Sequence, residues 1–388
     1  MKSISQIEIE NKTVLIRVDY NVPIIDGAIS NTFRIDSSLK TIKYCLGKNC
    51  KVVLISHLGR PKGIDKKYSL RPVFDYLKTI FGDKIFFSDD CLGSNTLEKT
   101  MKMNQGEIHL LENLRFYPDE LNCDKVFSEK LSKHGNIFIN EAFGTAHRSH
   151  ASNVGVSSFF SQKAYGFLIS KEIDYLDRII DKEEGKIILL LGGAKISDKI
   201  KLISRFRDIA DKILIGGAMS NNFLKAAGLN VGKSLIESDA IALSKDILNK
   251  SKSKIVLPLD FVSTKDISDD KNSIISCYNS IDDDDITVDI GPETISLFKH
   301  IISKANCVIW NGPMGIIEKE KFSLGTKEII NLIMDMTTSG ATTIIGGGDT
   351  SSMIDYRDFD KFSHISTGGG ASLRLLGGES MPAIDALK

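Results

Sequence analysis

The sequence Ile-Ile-Gly-Gly-Gly-Asp-Thr at residues 344–350 is followed closely by His-Ile-Ser-Thr-Gly-Gly-Gly-Ala-Ser at residues 364–372. Each stretch predicts a strand, a glycine loop and the start of a helix. Glycine lets the backbone adopt positive φ and approach a ligand closely, and the free amides at a helix start attract anions. Neither stretch has the G-x-G-x-x-G or Walker A spacing. Together they predict a phosphate site, most simply for a nucleotide; an ordinary tight turn is the alternative for either loop alone.

Short apolar runs that end in glycine or in polar residues recur along the chain. They lie at residues 52–55, 187–191, 213–215 and 308–310. Such runs are typical of strands that are buried on both faces, as in parallel sheets. Helical patterns at residues 172–180 and 223–227 separate them. This alternation predicts a doubly wound α/β fold, in which ligands bind beyond the carboxyl ends of the strands.

Composition limits the class of protein. A chain of 388 residues favours two domains. Its formal net charge is zero, so it has no general attraction to nucleic acid or to acidic membranes. No apolar run reaches the ~18 residues that span a bilayer, and residues 1–5 lack the apolar core of a signal peptide. The six cysteines include no C-x-x-C pair, which favours a reducing cytoplasm over a zinc site or a disulfide framework.

The chain divides near residue 160 into a part rich in arginine and histidine and a part rich in glycine loops. An amphipathic helix at residues 171–180 is predicted to connect them. The aspartate run at residues 282–285 favours a solvated loop over a metal site. Residues 227–234 fit a loose Walker A pattern, but a helical run rather than a strand precedes them. We therefore interpret Gly228 as the end of a helix.

Cationic and polar residues follow the predicted strands of the first part. They are Arg17, Asp19, Asn21, Arg34, His57, Arg60, Arg115, His147, Arg148 and His150. The planar fork of arginine gives paired, charge-assisted hydrogen bonds to phosphate and carboxylate. If these side chains converge, they form a site for a small, strongly anionic molecule. The alternative is that each arginine pairs with an acidic residue at the surface.

Ten ordered segments resemble those of the phosphoglycerate kinase family, over the whole chain. They lie at residues 17–23, 56–61, 112–116, 141–150, 192–200, 216–224, 289–294, 310–318, 346–350 and 366–373. Their order and spacing also match, which makes chance similarity implausible.

The resemblance implies reversible, Mg²⁺-dependent phosphoryl transfer from 1,3-bisphosphoglycerate to ADP, giving 3-phosphoglycerate and ATP in glycolysis and gluconeogenesis. Transfer is direct and in line, without a phosphoenzyme, after domain closure. The implied architecture has two Rossmann-like, three-layer α/β domains with parallel sheets, joined by a hinge helix. Residues 1–165 would bind 3-phosphoglycerate and residues 166–374 the nucleotide, with a tail at about 375–388 packing back on the first domain. A cytoplasmic monomer is implied.

The resemblance also assigns site residues. In the first domain, the hydroxyl of the triose would contact Asp19 and Asn21. The reacting carboxyl group would face Arg34. The non-transferred phosphate would bind to His57, Arg60, Arg115 and Arg148. In the second domain, nucleotide contacts would be Lys195, Lys199, Gly217, Asn311, Glu318, Gly346, Gly347, Gly348, Asp349 and Thr350, with Glu318 at the ribose and Asp349 as the magnesium ligand. The catalytic set would be Arg34, Lys199, Gly347 and Gly370.

The chemistry is consistent with these residue types. A carboxylate nucleophile is already ionised at neutral pH, since its pKa lies near ~4, so no general base is required. We therefore assign structural roles to His147 and His150. Charge neutralisation and alignment are required instead. Lys195 and Lys199 would share one helix face if the helix began at Gly193 or at the next residue.

Some positions depart from the family pattern. They are Glu141 for the usual Asp, Ala218 for Gly, Asn222 for Thr, and Arg374 and Gly377 for two glutamates. Two other functions stay open: a kinase of the same fold for another small acid, and a binding protein without activity. The retained triose set argues against the first, and the retained Arg34, Lys199 and Asp349 argue against the second.

Overall fold

The computed structural model describes residues 1–180, 185–251, 253–268 and 272–388. Its contacts divide the chain into two compact units. Unit 1 comprises Met1–Asp174 and Ser380–Lys388, and unit 2 comprises Tyr175–Glu379. The domain limits that the sequence suggested, 165 and 374, stay a prediction.

Unit 1 is an α/β layer structure built on a parallel sheet. Its strands are β1 (Thr13–Arg17), β2 (Ile24–Ile25), β3 (Ala28–Ile29), β4 (Lys51–Ile55), β5 (Ile85–Ser88), β6 (Ile108–Leu111), β7 (Ile137–Asn140) and β8 (Lys163–Tyr165). Its helices are α1 (Phe33–Gly47), α2 (Arg71–Phe81), α3 (Ser94–Met101), α4 (Pro118–Leu121), α5 (Lys125–Ser132) and the first part of α6 (Phe167–Ile180). Among the described residues, six strands form the main sheet in the order β5-β6-β4-β1-β7-β8, and β2 pairs with β3 in a hairpin.

The central strand β1 shows why this sheet is covered on both faces. Successive side chains of a strand point to opposite faces. Val14 and Ile16 pack in one apolar cluster, with Ile35 of α1. Leu15 packs in another, with Phe127 of α5. Because β1 lies between β4 and β7, the chain reverses its winding direction at this strand, and the carboxyl end of β1 is the expected ligand site.

Unit 2 repeats this design and adds a small antiparallel sheet. Its strands are β9 (Ile187–Leu191), β10 (Lys212–Ile215), β11 (Ile255–Val256), β12 (Asp260–Thr264), β13 (Ile274–Cys277), β14 (Ile286–Ile290), β15 (Cys307–Asn311), β16 (Thr342–Gly346) and β17 (His364–Ile365). Its helices, after the end of α6, are α7 (Ile200–Ile209), α8 (Met219–Ala226), α9 (Ile241–Ser251), α10 (Pro292–Ile302), α11 (Leu324–Thr338), α12 (Gly348–Ser352) and α13 (Gly370–Leu376).

The parallel sheet of unit 2 has the strand order β11-β10-β9-β15-β16-β17 in the described residues. β13, β12 and β14 form the antiparallel sheet. The α/β fold with buried parallel strands is therefore confirmed. So is the strand, glycine loop and helix order after β16 and β17, because α12 and α13 begin within their glycine runs.

The C-terminal segment belongs to unit 1. It contains α14 (Pro382–Asp385), and the Ala383 amide donates to the Ala146 carbonyl at 3.0 Å. The Ser157 hydroxyl donates to the Ala386 carbonyl at 3.3 Å. Leu387 completes the apolar cluster of Leu15 and Phe127. The end of the chain thus contributes to the core of unit 1.

Other predictions from the sequence have clear outcomes. α8 ends at Ala226 and Gly228 has a φ of 87°, which confirms that Gly228 ends a helix and argues against a Walker A loop. The aspartate run is exposed except for Asp285, which is buried, so the expectation of a wholly solvated loop is wrong at this residue. The Asp285 carbonyl accepts from the Lys233 amide at 2.8 Å, which holds this residue against the loop of Lys233. No helix in the described ranges is long and apolar enough to cross a membrane.

Candidate functional site

The carboxyl edge of the unit 1 sheet carries a cluster of charged side chains around Asp19. Asp19 follows β1, is 5% exposed, and accepts a hydrogen bond from Arg34 Nη1 at 3.1 Å through Oδ2. Its Oδ1 lies 3.9 Å from His57 Nδ1. Arg34 stands in the first turn of α1 and also donates to the Asn21 carbonyl at 3.2 Å. Asn21 Oδ1 in turn accepts from the Gly59 amide at 2.8 Å.

Two further cations of the predicted set reach the same edge from β6 and β7. Arg115 follows β6 in a 3₁₀ turn, and its Nη1 donates to the Gly59 carbonyl at 2.6 Å. Its buried Nε has no hydrogen-bond partner within the described residues. Arg148 Nε donates to His147 Nε2 at 3.2 Å. Arg60, next to Gly59, is exposed.

The pKa values of this cluster report its positive charge. Burial lowers the pKa of His57 far below its ordinary value, and the charges of Arg17, Arg115, Arg148 and Arg34 lower it further. Burial, with Arg148 and Arg17, also lowers the pKa of Arg115 to about 10. Four arginines therefore converge on a neutral histidine. An anion bound here would relieve their mutual repulsion.

Sequence reasoning named Arg17 but missed the Ser152 and Glu120 partners that hold it beneath this cluster. Arg17, the last residue of β1, is fully buried and lies with its Nη2 3.1 Å from His57 Nδ1. Its Nε donates to the Ser152 hydroxyl at 2.8 Å, and Ser152 donates to Glu120 Oε1 at 2.6 Å. Glu120 is also fully buried. The available signal was a charged residue closing an apolar strand, but nothing local marked Glu120 as its counter-charge.

In unit 2, three loops after β9, β10 and β15 pack backbone against backbone. The Gly193 amide donates to the Pro313 carbonyl at 2.7 Å. Gly217 has a φ of 61°, and a Cβ added to it would lie 2.4 Å from the Gly193 nitrogen. A Cβ on Gly312, whose φ is 94°, would lie 2.3 Å from the Gly192 carbonyl oxygen. These glycines are therefore required by contact distance as well as by backbone conformation.

The two lysines after β9 differ in environment. Lys195 is exposed, whereas Lys199 is buried at the end of a 3₁₀ turn, Ser197–Lys199. The condition for a shared helix face, a helix start at Gly193 or Ala194, is not met, because α7 begins at Ile200 and Lys195 lies in a loop. Burial lowers the pKa of Lys199, and Asp198, Asp349 and Glu237 oppose this shift. A Cβ on Gly193 would lie 3.5 Å from Lys199 Nζ, which places the ammonium group against the glycine loop.

A cavity of about 280 Å³ opens beside these loops. This is near the lower end of small-molecule sites, roughly 300–1,000 Å³. Its lining is mostly apolar and includes Ala194, Gly217, Ala218, Leu235, Phe261, Ile286, Val288, Met314 and Ile316, with Asp289, Glu318 and Asp349 as acidic members. Such a cavity suits the flat, apolar faces of a nucleoside, with carboxylates able to contact polar groups.

The two glycine loops that follow β16 and β17 also meet. A Cβ on Gly369 would lie 3.9 Å from Gly347 Cα and from the Gly348 nitrogen. Asn311, at the end of β15, faces the same loop, since a Cβ on Gly347 would lie 3.3 Å from its Nδ2. The buried Thr350 hydroxyl accepts from the Gly312 amide at 2.9 Å. Gly370 begins α13, and, apart from its chain neighbours and its own helix, no described residue comes within 4 Å of its Cβ position.

These features define a class: an α/β protein whose two units each carry an open parallel sheet, one edged by arginines and the other by glycine loops and lysines. The model of the phosphoglycerate kinase family matches residues 4–379. A phosphoglycerate kinase of Finegoldia magna is 46% identical over 393 aligned residues, covering 100% of this chain and 98% of its own length. That of Pseudothermotoga lettingae is 44% identical over 392, covering 99% and 98%.

Solved structures agree. Phosphoglycerate kinase from Coxiella burnetii superposes with a TM-score of 0.86 at 32% identity, covering 100% of this chain and 98% of its own. The enzyme from Pyrococcus horikoshii OT3 gives a TM-score of 0.88 at 32% identity, with the same coverage. This chain belongs to the phosphoglycerate kinase family.

Proposed function

We propose that this chain catalyses reversible phosphoryl transfer from 1,3-bisphosphoglycerate to ADP, giving 3-phosphoglycerate and ATP. The observation that carries the proposal is the contrast between the two sheet edges. One is a converging arginine cluster suited to a small polyanion, and the other combines glycine loops, a buried lysine and an apolar cavity suited to a nucleotide.

In unit 1, the phosphate of 3-phosphoglycerate binds at the cluster of His57, Arg60, Arg115 and Arg148. The unpartnered Nε of Arg115 supports this role, because a buried donor is stabilised by an acceptor that arrives with the ligand. Asp19 and Asn21 receive the substrate hydroxyl. Arg34, which is partly exposed and held by Asp19, faces the reacting carboxyl group.

In unit 2, the nucleoside occupies the apolar cavity with Glu318 at the ribose. Its phosphates run over the loops of Gly217, Asn311, Gly346, Gly347, Gly348, Thr350 and Gly370 towards Lys195 and Lys199. The amides of these loops donate to phosphate oxygens without side chains in the way. Lys199 lies close to Gly193, and the charge of Asp349 favours its protonated form. It would neutralise charge on the transferring group.

Magnesium fits the residues present. Mg²⁺ at nucleotide sites is held by one or two carboxylates together with phosphates and water. Asp349 is an exposed carboxylate on the cavity wall, and the described residues contain no cluster of three metal-binding side chains that would suggest an all-protein cage. When bound, the ion neutralises charge on the phosphates.

The chain's own residues supply alignment and charge rather than proton transfer. The attacking group is a carboxylate that is ionised at neutral pH, so no base is needed. Arg34 and Lys199 stabilise the negative charge that spreads over the equatorial oxygens. The acid of unit 1 and the nucleotide of unit 2 must meet away from water. The proposal therefore includes domain closure over the two substrates. It also includes a monomeric protein in the cytoplasm.

Steady-state kinetics test this function. We expect purified protein to form ADP from MgATP only when 3-phosphoglycerate is present, and Lys199→Ala to lose most of this activity. A folded protein that binds MgATP but does not turn over 3-phosphoglycerate would contradict the proposal and favour another acid acceptor or a binding role. Small-angle scattering tests closure, and an unchanged radius of gyration with both substrates would count against it.

A further inference from the structure

The loop that carries Lys195 and Lys199 is tied to a distant acidic residue. No N-cap side chain of the 3₁₀ turn Ser197–Lys199 or of α7 forms a cap hydrogen bond among the described residues. Glu237, 40 positions after Ser197, takes that place. Its Oε2 accepts from the Ile196 amide at 2.7 Å and from the Ser197 amide at 3.1 Å. Its Oε1 accepts from the Ser197 hydroxyl at 2.6 Å.

Glu237 is in turn held by Asn222, one of the positions that depart from the family pattern. Asn222 lies in α8 and is fully buried. Its Nδ2 donates to the Glu237 carbonyl at 2.7 Å, and its Oδ1 accepts from the Glu237 amide at 3.1 Å. This pair of hydrogen bonds fixes the Glu237 backbone, so the carboxylate approaches the lysine loop from a rigid support.

The same helix supports the wall of the nucleoside cavity. Asn221 Nδ2 donates to the Leu235 carbonyl at 3.2 Å, and Asn221 Oδ1 accepts from the Thr287 hydroxyl at 3.0 Å. Leu235 and Thr287 both line the cavity. The segment from Leu235 to Glu237 therefore joins the cavity wall to the lysine loop within two residues.

The charge of Glu237 also acts on the lysines. It is one of three carboxylates that oppose the lowering of the Lys199 pKa by burial. Burial raises the pKa of Glu237, but hydrogen bonds from Ser197 and Ile196 outweigh it, with a contribution from Lys195, and the net shift is downward. Glu237 thus stays ionised beside the loop and favours the charged form of Lys199.

We propose that Glu237 is a positioning residue for phosphoryl transfer: from a backbone held by Asn222, it holds the loop of Lys195 and Lys199 at the nucleotide phosphates and ties that loop to the cavity wall at Leu235. This inference rests on the proposed function. It extends that function by naming a residue outside the set that contacts substrate or nucleotide.

The test compares Glu237→Ala and Glu237→Gln with Asp239→Ala. Asp239 is an exposed acid in the neighbouring 3₁₀ turn and is a matched control for surface charge. We expect Glu237→Ala to lower kcat on the order of 10- to 100-fold, since small misplacements of aligned groups have effects of this size. The KM for 3-phosphoglycerate, which binds in unit 1, should stay unchanged. Glu237→Gln keeps an acceptor for the loop amides, so its kcat should lie between those of Glu237→Ala and Asp239→Ala.

A pH profile separates positioning from a purely structural role. Both Glu237 variants remove a charge that favours the protonated Lys199, so the alkaline limb of kcat should shift to lower pH, and Asp239→Ala should not shift it. Wild-type kcat and an unchanged alkaline limb in Glu237→Ala would overturn the inference. So would a loss of activity that merely follows a lower melting temperature.

The result stays informative if the proposed function fails. If the wild-type protein shows no turnover with 3-phosphoglycerate, calorimetric titration with MgATP still measures how well the lysine loop binds the nucleotide. We expect affinity for MgATP to drop in Glu237→Ala and to be retained in Asp239→Ala. Equal affinity in wild type and Glu237→Ala would contradict the positioning role independently of the reaction.

Discussion

The two units use one sheet design to form opposite kinds of anion site. In unit 1 the proposed recognition groups are side chains, a set of arginines gathered around His57. In unit 2 the proposed groups are mainly backbone amides of glycine loops, which no side chain covers, with one buried lysine. A side-chain site depends on charges that the fold must bring together. A backbone site depends on the space between loops, so it is damaged by adding atoms rather than by removing them.

The largest expected effect comes from removing a side chain in unit 1. Arg34→Met should lower kcat about 10²–10³-fold, the usual effect of losing one group that stabilises transition-state charge. Initial rates with MgATP and 3-phosphoglycerate measure it. Arg71→Met is the control, since the Arg71 guanidinium pairs with the exposed Asp89 at 3.4 Å and lies over the rings of Phe74 and Phe87, outside the Asp19 cluster. A rate for Arg34→Met within threefold of wild type would remove Arg34 from the reaction.

Adding one methyl group should damage the backbone site of unit 2. Gly217→Ala places a Cβ 2.4 Å from the Gly193 nitrogen at a φ of 61°. We expect the free energy of unfolding to fall by about 1–3 kcal/mol and MgADP affinity to fall with it, as measured by denaturation and titration. Gly348→Ala is the control for stability, because no described residue beyond its chain neighbours and its own helix comes within 4 Å of its Cβ position. Equal destabilisation by both variants would contradict the contact argument.

A smaller expected effect concerns the pH dependence of stability, which a buried carboxyl group should influence in each unit. Burial raises the pKa of Glu141 in unit 1 and of Asp289 in unit 2 to about 7 each. A raised folded-state pKa stabilises the fold at low pH and loses this effect as pH rises through 7. Glu141→Gln should therefore remove roughly 2 kcal/mol of the decline in unfolding free energy between pH 5 and pH 8.

Denaturation between pH 5 and pH 8 measures this change, and in the same experiment Asp289→Asn should affect unit 2 alone. Trp310, the single tryptophan, is fully buried in unit 2 and reports its unfolding by fluorescence, whereas circular dichroism reports both units. We expect Asp289→Asn to flatten the pH dependence of the tryptophan transition and Glu141→Gln to leave it unchanged. An identical response of both probes to both variants would show that the units unfold together.

The smallest effect is electrostatic. His57 should stay neutral to lower pH than an ordinary histidine, since burial and the neighbouring arginines lower its pKa. Arg148→Met should raise that pKa, because one of those positive charges is lost. NMR titration of the imidazole signals, assigned with His57→Gln, measures both. A His57 pKa that is the same in wild type and Arg148→Met would show that Arg148 does not face this site.

Much of this was predictable because it depends on local physics. The strands at residues 187–191 and 308–310 are apolar runs buried on both faces, and α12 and α13 begin within glycine runs as their sequences predict. The start of α7 was not predictable. Gly193 has a φ of 80°, and its amide donates a hydrogen bond to the Pro313 carbonyl in the loop after β15. Those contacts hold residues 193–196 in a loop and move the helix start to Ile200.

By itself, the sequence determined the α/β class, the glycine loops and the residue types that can bind an anion, because periodicity, backbone freedom and charge are properties of short segments. Only the tertiary structure decided which charges meet. It placed Arg17 against His57, Glu120 beneath Ser152, and Glu237 on the lysine loop. These pairs join residues 32 to 41 positions apart. Their proximity comes from the packing of strands and loops, which no local pattern encodes.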